Sequence, residues 1–319
     1  MKKNTSSRTF CLLLTLTSIT VAGCGGGIPS GTTSTQALSS FVSIPAPNLT
    51  SAYYSNYYFD LFAIEGNDIV VFKRDGDVFN QGETIGTSAS SINFGSMNAP
   101  TDVTSDSVGN LIVADTGNNR IDVFFPNSSQ FVGRTVFGTP GTGNGQFQKV
   151  VSVATDSSDN VYAVDQTSNL VEEWSYNGGS YSFDKNIGSG LLNSPVSIAI
   201  DAAANLYISN AGSKNIVVIS GSTGSVINTI TAPTSLASTF VPGNISLDAN
   251  NNIYVVDTGN NQVEEFALAG GSYTYAGVIG SIGSGSEQYS LPTSVSIDSF
   301  NDIYIGDKGN NRVAAFPLP

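Results

Sequence analysis

The chain has 319 residues, with 12 Lys+Arg against 25 Asp+Glu, no His and a formal charge of −13. Without histidine there is no Ser-His-Asp triad, no His-ligated zinc and no imidazole base, and the negative charge repels phosphate backbones, which argues against nucleic acid as a partner. With 34 Gly, 13 Tyr and 17 Phe and only 12% charged residues, the composition suits strands and turns rather than long helices, and an all-β chain of this length can bury a sizeable core as one unit.

The N-terminus opens with a positive segment (Lys2, Lys3, Arg8), an apolar stretch from Phe10 to Ala22, and Val21-Ala22-Gly23-Cys24. The stretch is short for a membrane-spanning helix. This pattern resembles a bacterial lipoprotein signal peptide ending in a lipobox. The resemblance implies cleavage after residue 23, lipid attachment at Cys24, and a place in the bacterial cell envelope, at the outer membrane or the extracytoplasmic face of the plasma membrane. Several acyl chains, at ~0.8 kcal/mol per buried CH₂, would anchor it durably, so membrane contact is expected through the lipid only. An ordinary signal peptide with an incidental cysteine is the blander alternative. Cys11 falls in the removed segment, which leaves no disulfide, and loss of three cations takes the charge from −13 to −16. Residues 24–40, rich in Gly, Ser and Thr, are expected to be a flexible tether spanning ~22 Å, with the folded body at 41–319.

From there the chain repeats itself. Segments starting at Pro100, Val150, Pro195, Pro242 and Pro292 share one template, and a diverged sixth lies at residues 59–72. Equivalent positions Glu65, Asp115, Asp165, Asn210, Asp257 and Asp307 are 50, 50, 45, 47 and 50 residues apart, a period that marks a propeller. Within each unit an alternating strand such as Val196–Ile200, a buried strand such as Ile253–Val256 and a third such as Val263–Phe266 precede a glycine-rich segment supplying a fourth. The last copy stops after its third strand, and Phe41-Val42-Ser43-Ile44 is free to fill the gap. The expected fold is therefore all-β: a six-bladed β-propeller of four-stranded antiparallel blades, closed by an N-terminal strand that removes an open edge.

The units resemble NHL repeats across nearly all of residues 55–319. The resemblance is carried by the runs Asn110–Asn119 and Asn252–Asn261 and by Ile279-Gly280-Ser281 through Pro292. It implies protein–protein recognition.

The recurring acids admit two readings. Asp106, Asp156, Asp201, Asp248 and Asp298 end first strands; Asp115, Asp165, Asp257 and Asp307 end second strands, with Asn210 in the fourth copy. Either they form a carboxylate ring for metal or acid–base work, or they cap turns by accepting backbone N–H groups. Asn210 keeps the acceptor oxygen and drops the charge, which favours capping. The Gly-Asn pairs 117–118, 259–260 and 309–310 suit left-handed turns. Gly141-Thr142-Gly143-Asn144-Gly145 has no following Gly-Lys-Ser/Thr and is expected to be an interblade loop, not a phosphate cradle. Glu172-Glu173 and Glu264-Glu265 are expected on solvated rims.

Asp102, Ser152, Ser197, Asn244 and Ser294 are the candidate lining of the axial channel. A gluconolactonase-like metal-dependent hydrolase or lyase would need several carboxylates and amides converging there, and the row offers Asp102 and Asn244. The leading expectation is a monomeric, non-catalytic binding or scaffolding module without cofactor or metal, with another protein or an envelope component as partner. Its candidate surface is the face shared by the Asp-x-Gly-Asn-Asn and interblade loops.

Overall fold

In the computed structural model, residues 36–86, 96–127 and 130–318 are described. Six four-stranded antiparallel sheets surround a central axis. Their innermost strands are Leu49–Ser55, Asp102–Ser105, Val150–Thr155, Pro195–Ile200, Pro242–Leu247 and Pro292–Ile297, and these begin blades 1 to 6. Each blade meanders outward, so alternate side chains of one strand face the two neighbouring blades. Second strands are almost wholly buried because sheets cover both faces: Leu111–Asp115, Val161–Asp165 and Ile253–Asp257 expose no residue.

The core is six apolar clusters wedged between blades. One of them joins Ile112, Ile121 and Phe137 of blade 2 to Val153, Ala163 and Trp174 of blade 3. Phe147 and Tyr289, both 0% exposed, plug the joints where interblade loops turn inward, each stabilising its joint by about 1.5–3 kcal/mol of apolar burial. Among the described residues no helix is long and apolar enough to cross a membrane.

The ring closes as the missing strand requires. Val42–Pro45 pairs antiparallel with Arg312–Pro317, Val42 opposite Ala315 and Pro45 opposite Arg312, completing blade 6. The docked segment begins earlier than the expected boundary at residue 41. Leu38 is 3% exposed and donates its N–H to Asp302 (2.8 Å), while Ser39 donates to Asp77. Leu38 packs in the cluster shared by blades 6 and 1, and its apolar side chain is why the expected tether stops short. The lipobox region and Cys24 lie outside the described residues.

Arg74, on the third strand of blade 1 (Asp68–Asp75), sits at this joint. Its guanidinium donates to Asp298 (2.9 Å), Asp302 (2.9 Å), Tyr304 (2.7 Å) and the carbonyl of Gln36 (2.9 Å). The ion-paired side chains of Arg74, Asp298 and Asp302 are all 0% exposed. Tyr54 stacks on Tyr304 beneath it, with ring centroids 4.5 Å apart. Burial drives the Tyr54 hydroxyl up to about 12 despite the adjacent arginine, and that of Tyr304 higher still. Both phenols stay neutral.

A buried pair loses far more when one partner is removed than it contributed by forming. Arg74→Met leaves two acids without a counter-charge, and we expect a loss of about 3–5 kcal/mol, read as a lower urea midpoint at unchanged slope.

Candidate functional site

The first-strand aspartates all face one turn. Asp106 Oδ1 accepts the N–H groups of Val108 (3.1 Å) and Asn110 (2.7 Å), and its Oδ2 accepts the Asn110 amide (2.6 Å). Asp156, Asp201 and Asp248 repeat this geometry with Asn160, Asn205 and Asn252. Asp298 binds the N–H groups of Phe300 and Asp302, but in blade 6 the amide partner has become Asp302, and Arg74 supplies the missing donor.

The second-strand residues do something further. Asp115 accepts the N–H of Asn98, Asp165 those of Gln148 and Lys149, Asp257 that of Val241 and Asp307 that of Ser290. Asn210 accepts from Asn193 with its neutral oxygen (2.6 Å). Each of these donors lies on the incoming interblade loop, so the side chain ties that loop to the blade it enters. Arg120 and Arg312 add ion pairs to Asp115 (2.9 Å) and Asp307 (2.8 Å).

The glycines beside them serve crowding rather than handedness. Positive φ falls on the second Asn of each run, at Asn119, Asn261 and Asn311, and not on Gly117, Gly259 or Gly309. A Cβ at Gly309 would lie 2.6 Å from the carbonyl oxygen of Ser290 and one at Gly259 2.1 Å from that of Thr239. The interblade loop passes too close for any side chain.

On the axis, three cavities stack from one face to the other: about 320 Å³ at the loop face, about 290 Å³ at the waist and about 360 Å³ at the first-strand turns. Asp102 and Asn244 border the first two, and Ser152 borders the loop-face cavity. Ser197 and Ser294, 1% and 0% exposed, border none of the three. The expected lining is instead largely a belt. Asp102 accepts from the Ser152 hydroxyl (2.5 Å) and the Val153 N–H (3.1 Å). Ser152 accepts from Ile198 N–H, Ser197 from Ile245 N–H, Asn244 from Val295 N–H and Ser294 from Ala52 N–H. Among the described residues five of the six joints are latched this way. For three of the latches the cause is local: the inner strands shift register between Val150 and Ser152, Pro195 and Ser197, and Pro292 and Ser294, and such a bulge re-aims the serine that follows it, here sideways into the next strand.

The paired glutamates correct a second expectation. Glu172, Glu173 and Glu264 are 2%, 7% and 0% exposed; only Glu265 is half-buried. A fourth strand covers the third, so the third strand is not a rim. Glu172 accepts from the Trp174 indole (3.2 Å), Glu264 from Gln262 and Tyr275, and Glu173 pairs with Lys185 (3.1 Å). Asp122, at the same register in blade 2, is held by Arg120 and Arg134.

Residues 97–124 match the NHL repeat model. The chain carries an NHL repeat in a six-bladed β-propeller. None of the curated proteins compared with it matches. Among solved structures, the chain is similar to virginiamycin B lyase from Staphylococcus aureus (TM-score 0.59, 14% identity, covering 88% of this chain and 99% of that one). A His-to-Ala variant of a virginiamycin B lyase from the same organism is catalytically inactive. It is also similar to a 6-phosphogluconolactonase candidate from Bacteroides uniformis (TM-score 0.59, 13% identity, covering 84% and 80%). At these identities the likeness is one of fold.

Burial pushes Asp102 up to about 6, against the lowering effect of its three donors. A carboxyl whose folded pKa lies above its unfolded value binds its proton more tightly when folded, so stability falls as pH rises from about 4 to about 6 and then levels. Asp102→Asn removes that fall. Relative to the parent, it gains up to about 3 kcal/mol between pH 4 and 7, measured by urea melts at both ends.

Proposed function

We propose that this NHL propeller is a non-catalytic binding or scaffolding module that presents its loop face to another protein or an envelope component. The observation that carries the reading is the state of Asp102. This axial carboxylate already accepts three hydrogen bonds, two of them from the next blade, so it is committed to holding the ring. The lyase neighbour loses catalysis with one histidine, and this chain has none.

On the loop face, by contrast, apolar side chains stand in solvent: Leu191 is 50% and Leu291 61% exposed, and each lies beside an anchored interblade loop. Rigid backbone carrying exposed apolar groups suits recognition. A lipid at Cys24 would hold this surface at the envelope and concentrate it near membrane-bound partners. The competing reading, a metal-dependent hydrolase or lyase using the channel, draws support from the lyase and lactonase folds, but fold alone does not assign chemistry.

Two measurements separate these readings. Millimolar calcium should leave the melting temperature within about 1 °C, since only a ligand bound to the native state raises it; a large rise abolished by Asp102→Ala with Asn244→Ala supports the metal enzyme. A partner crosslinked in native envelopes should be held at least about tenfold less well by the Leu191→Glu, Leu291→Glu variant.

A further inference from the structure

The cations of the chain are divided unevenly between its two faces. Of the 12 Lys and Arg residues, three precede residue 36 and nine are described. Six of these, Lys73, Arg74, Arg120, Arg134, Lys185 and Arg312, pair with acids. The other three, Lys149, Lys214 and Lys308, have no ion pair among the described residues. All three are exposed and lie on the loop face, Lys149 on an interblade loop and the other two in the turns that follow second strands. Lys149 and Lys214 reach neutral acceptors, the Gln166 side chain (2.9 Å) and the Ser238 carbonyl (2.7 Å). The acids of their own blades or joints are occupied: Asp165, Asp257 and Asp307 are 0% exposed and accept loop N–H groups. The acids left open on this face are Glu287, exposed, and Glu65 and Asp68 of blade 1, half-buried.

Two of the lysines repeat one arrangement. In blade 4 the turn 211–214 is bonded to the incoming loop, Ala211 N–H to Ser194 (3.2 Å) and Gly212 N–H to Asn193 (2.9 Å), which brings Lys214 to the loop that carries Leu191. In blade 6 Gly309 N–H binds the Ser290 carbonyl (2.7 Å), and the Asn310 amide binds the Gly283 carbonyl (2.9 Å). Lys308 is thereby brought to the segments carrying Leu291 and Ile282. Ile282, at 70%, is the most exposed large apolar side chain described. Leu291 holds a φ of +49°, an outlying conformation for a bulky residue, fixed by its N–H on Asn261 Oδ1 (2.8 Å). The backbone carries this strain while the side chain stands in water, which points to a use for the side chain outside the fold.

Unpaired ammonium groups beside exposed aliphatic side chains match a ligand that carries both acids and aliphatic groups. A phosphate backbone offers the charge alone, and a net charge of −13 repels long polyanions and anionic bilayers. The N-terminal segment favours a protein as well. Gln36, Leu38 and Ser39 bind Arg74, Asp302 and Asp77, so the chain enters the fold at the face of the first-strand turns. A membrane anchor ahead of residue 36 would leave the loop face turned away from the bilayer.

We infer that the loop face of blades 3 to 6 docks an acidic, aliphatic-rich segment of a partner protein, with its carboxylates on Lys149, Lys214 and Lys308 and its aliphatic side chains on Leu191, Ile282 and Leu291. The inference rests on the binding role proposed above and names the chemistry of the partner.

The probe is a fluorescein-labelled peptide of about twelve residues built from Glu, Asp, Leu and Ser, titrated with the full chain and read by anisotropy. A second peptide with Lys at every acidic position is the control. The acidic peptide should bind, more weakly as salt rises, and the variant Lys149→Glu, Lys214→Glu, Lys308→Glu should lose at least about tenfold in affinity at an unchanged melting temperature. Replacement of the three lysines by Gln should weaken binding in the same sense if the reversed variant fails to fold. An acidic peptide that binds no better than the basic one, or that binds the variants as well as the parent, overturns the inference. So does stronger capture by phosphatidylglycerol vesicles, or a self-association abolished by the same variants, which would assign the face to a lipid surface or to a second copy. If Leu191→Glu with Leu291→Glu releases the crosslinked envelope partner and lysine reversal does not, this inference fails and the binding role stands; if neither releases it, both fail.

Discussion

A blade has two apolar faces and no way to bury both by itself, so the molecule depends on closing the circle. Five joints lie between blades that follow one another in the chain. The sixth must be made between the two ends, and there the chain spends unusual chemistry: a borrowed strand, Val42–Pro45, and a fully buried guanidinium serving two acids. The strand removes the edge that blade 6 would otherwise expose. Arg74 joins blade 1 to blade 6 beside that edge, its donors meeting Asp298, Asp302 and the two stacked phenols. Burying ions this way costs stability relative to an apolar joint; what it contributes here is register at the one joint that chain continuity does not enforce.

Closure also explains how the acids are distributed. A propeller has many tight turns and few helices, so its backbone N–H groups near the axis and at the loop face need acceptors supplied by side chains. Asp is the shortest residue with two acceptor oxygens, and each of the five full copies places one at the end of the first strand. At the end of the second strand a neutral Asn serves in blade 4, which shows that the acceptor geometry, more than the charge, is what the position requires. An enzyme on this architecture would need the same oxygens free for substrate or metal. That competition, between holding the ring and doing chemistry on the axis, is the physical ground for the proposal that this propeller is a recognition surface even though lyase and lactonase folds resemble it.

Much of the architecture was legible in the sequence, because period, strand alternation and the missing fourth strand of the last copy all point to one closed ring. The turn-forming acids were legible for the same reason. What escaped notice depends on three-dimensional aim. Ser152, Ser197 and Ser294 sit at alternate positions that a regular strand would turn to the axis; bulges turn them into the joints. Glu172 and Glu264 look solvated because two adjacent glutamates suggest water, yet a further strand covers them. The Arg74 node had a visible signal: the sixth copy has Asp302 where the others have Asn110, Asn160, Asn205 and Asn252. A buried acid replacing an amide demands a cation, and the diverged first repeat holds one.

The central claim is that the inner strands form a single latched ring rather than six independently stable blades. Native-state hydrogen exchange at the latch amides of Ala52, Val153, Ile198, Ile245 and Val295 tests it most directly. Exchange of all five at one common free energy, equal to that of global unfolding, is the result the closed ring predicts; opening at separate, blade-by-blade energies well below the global value would contradict it.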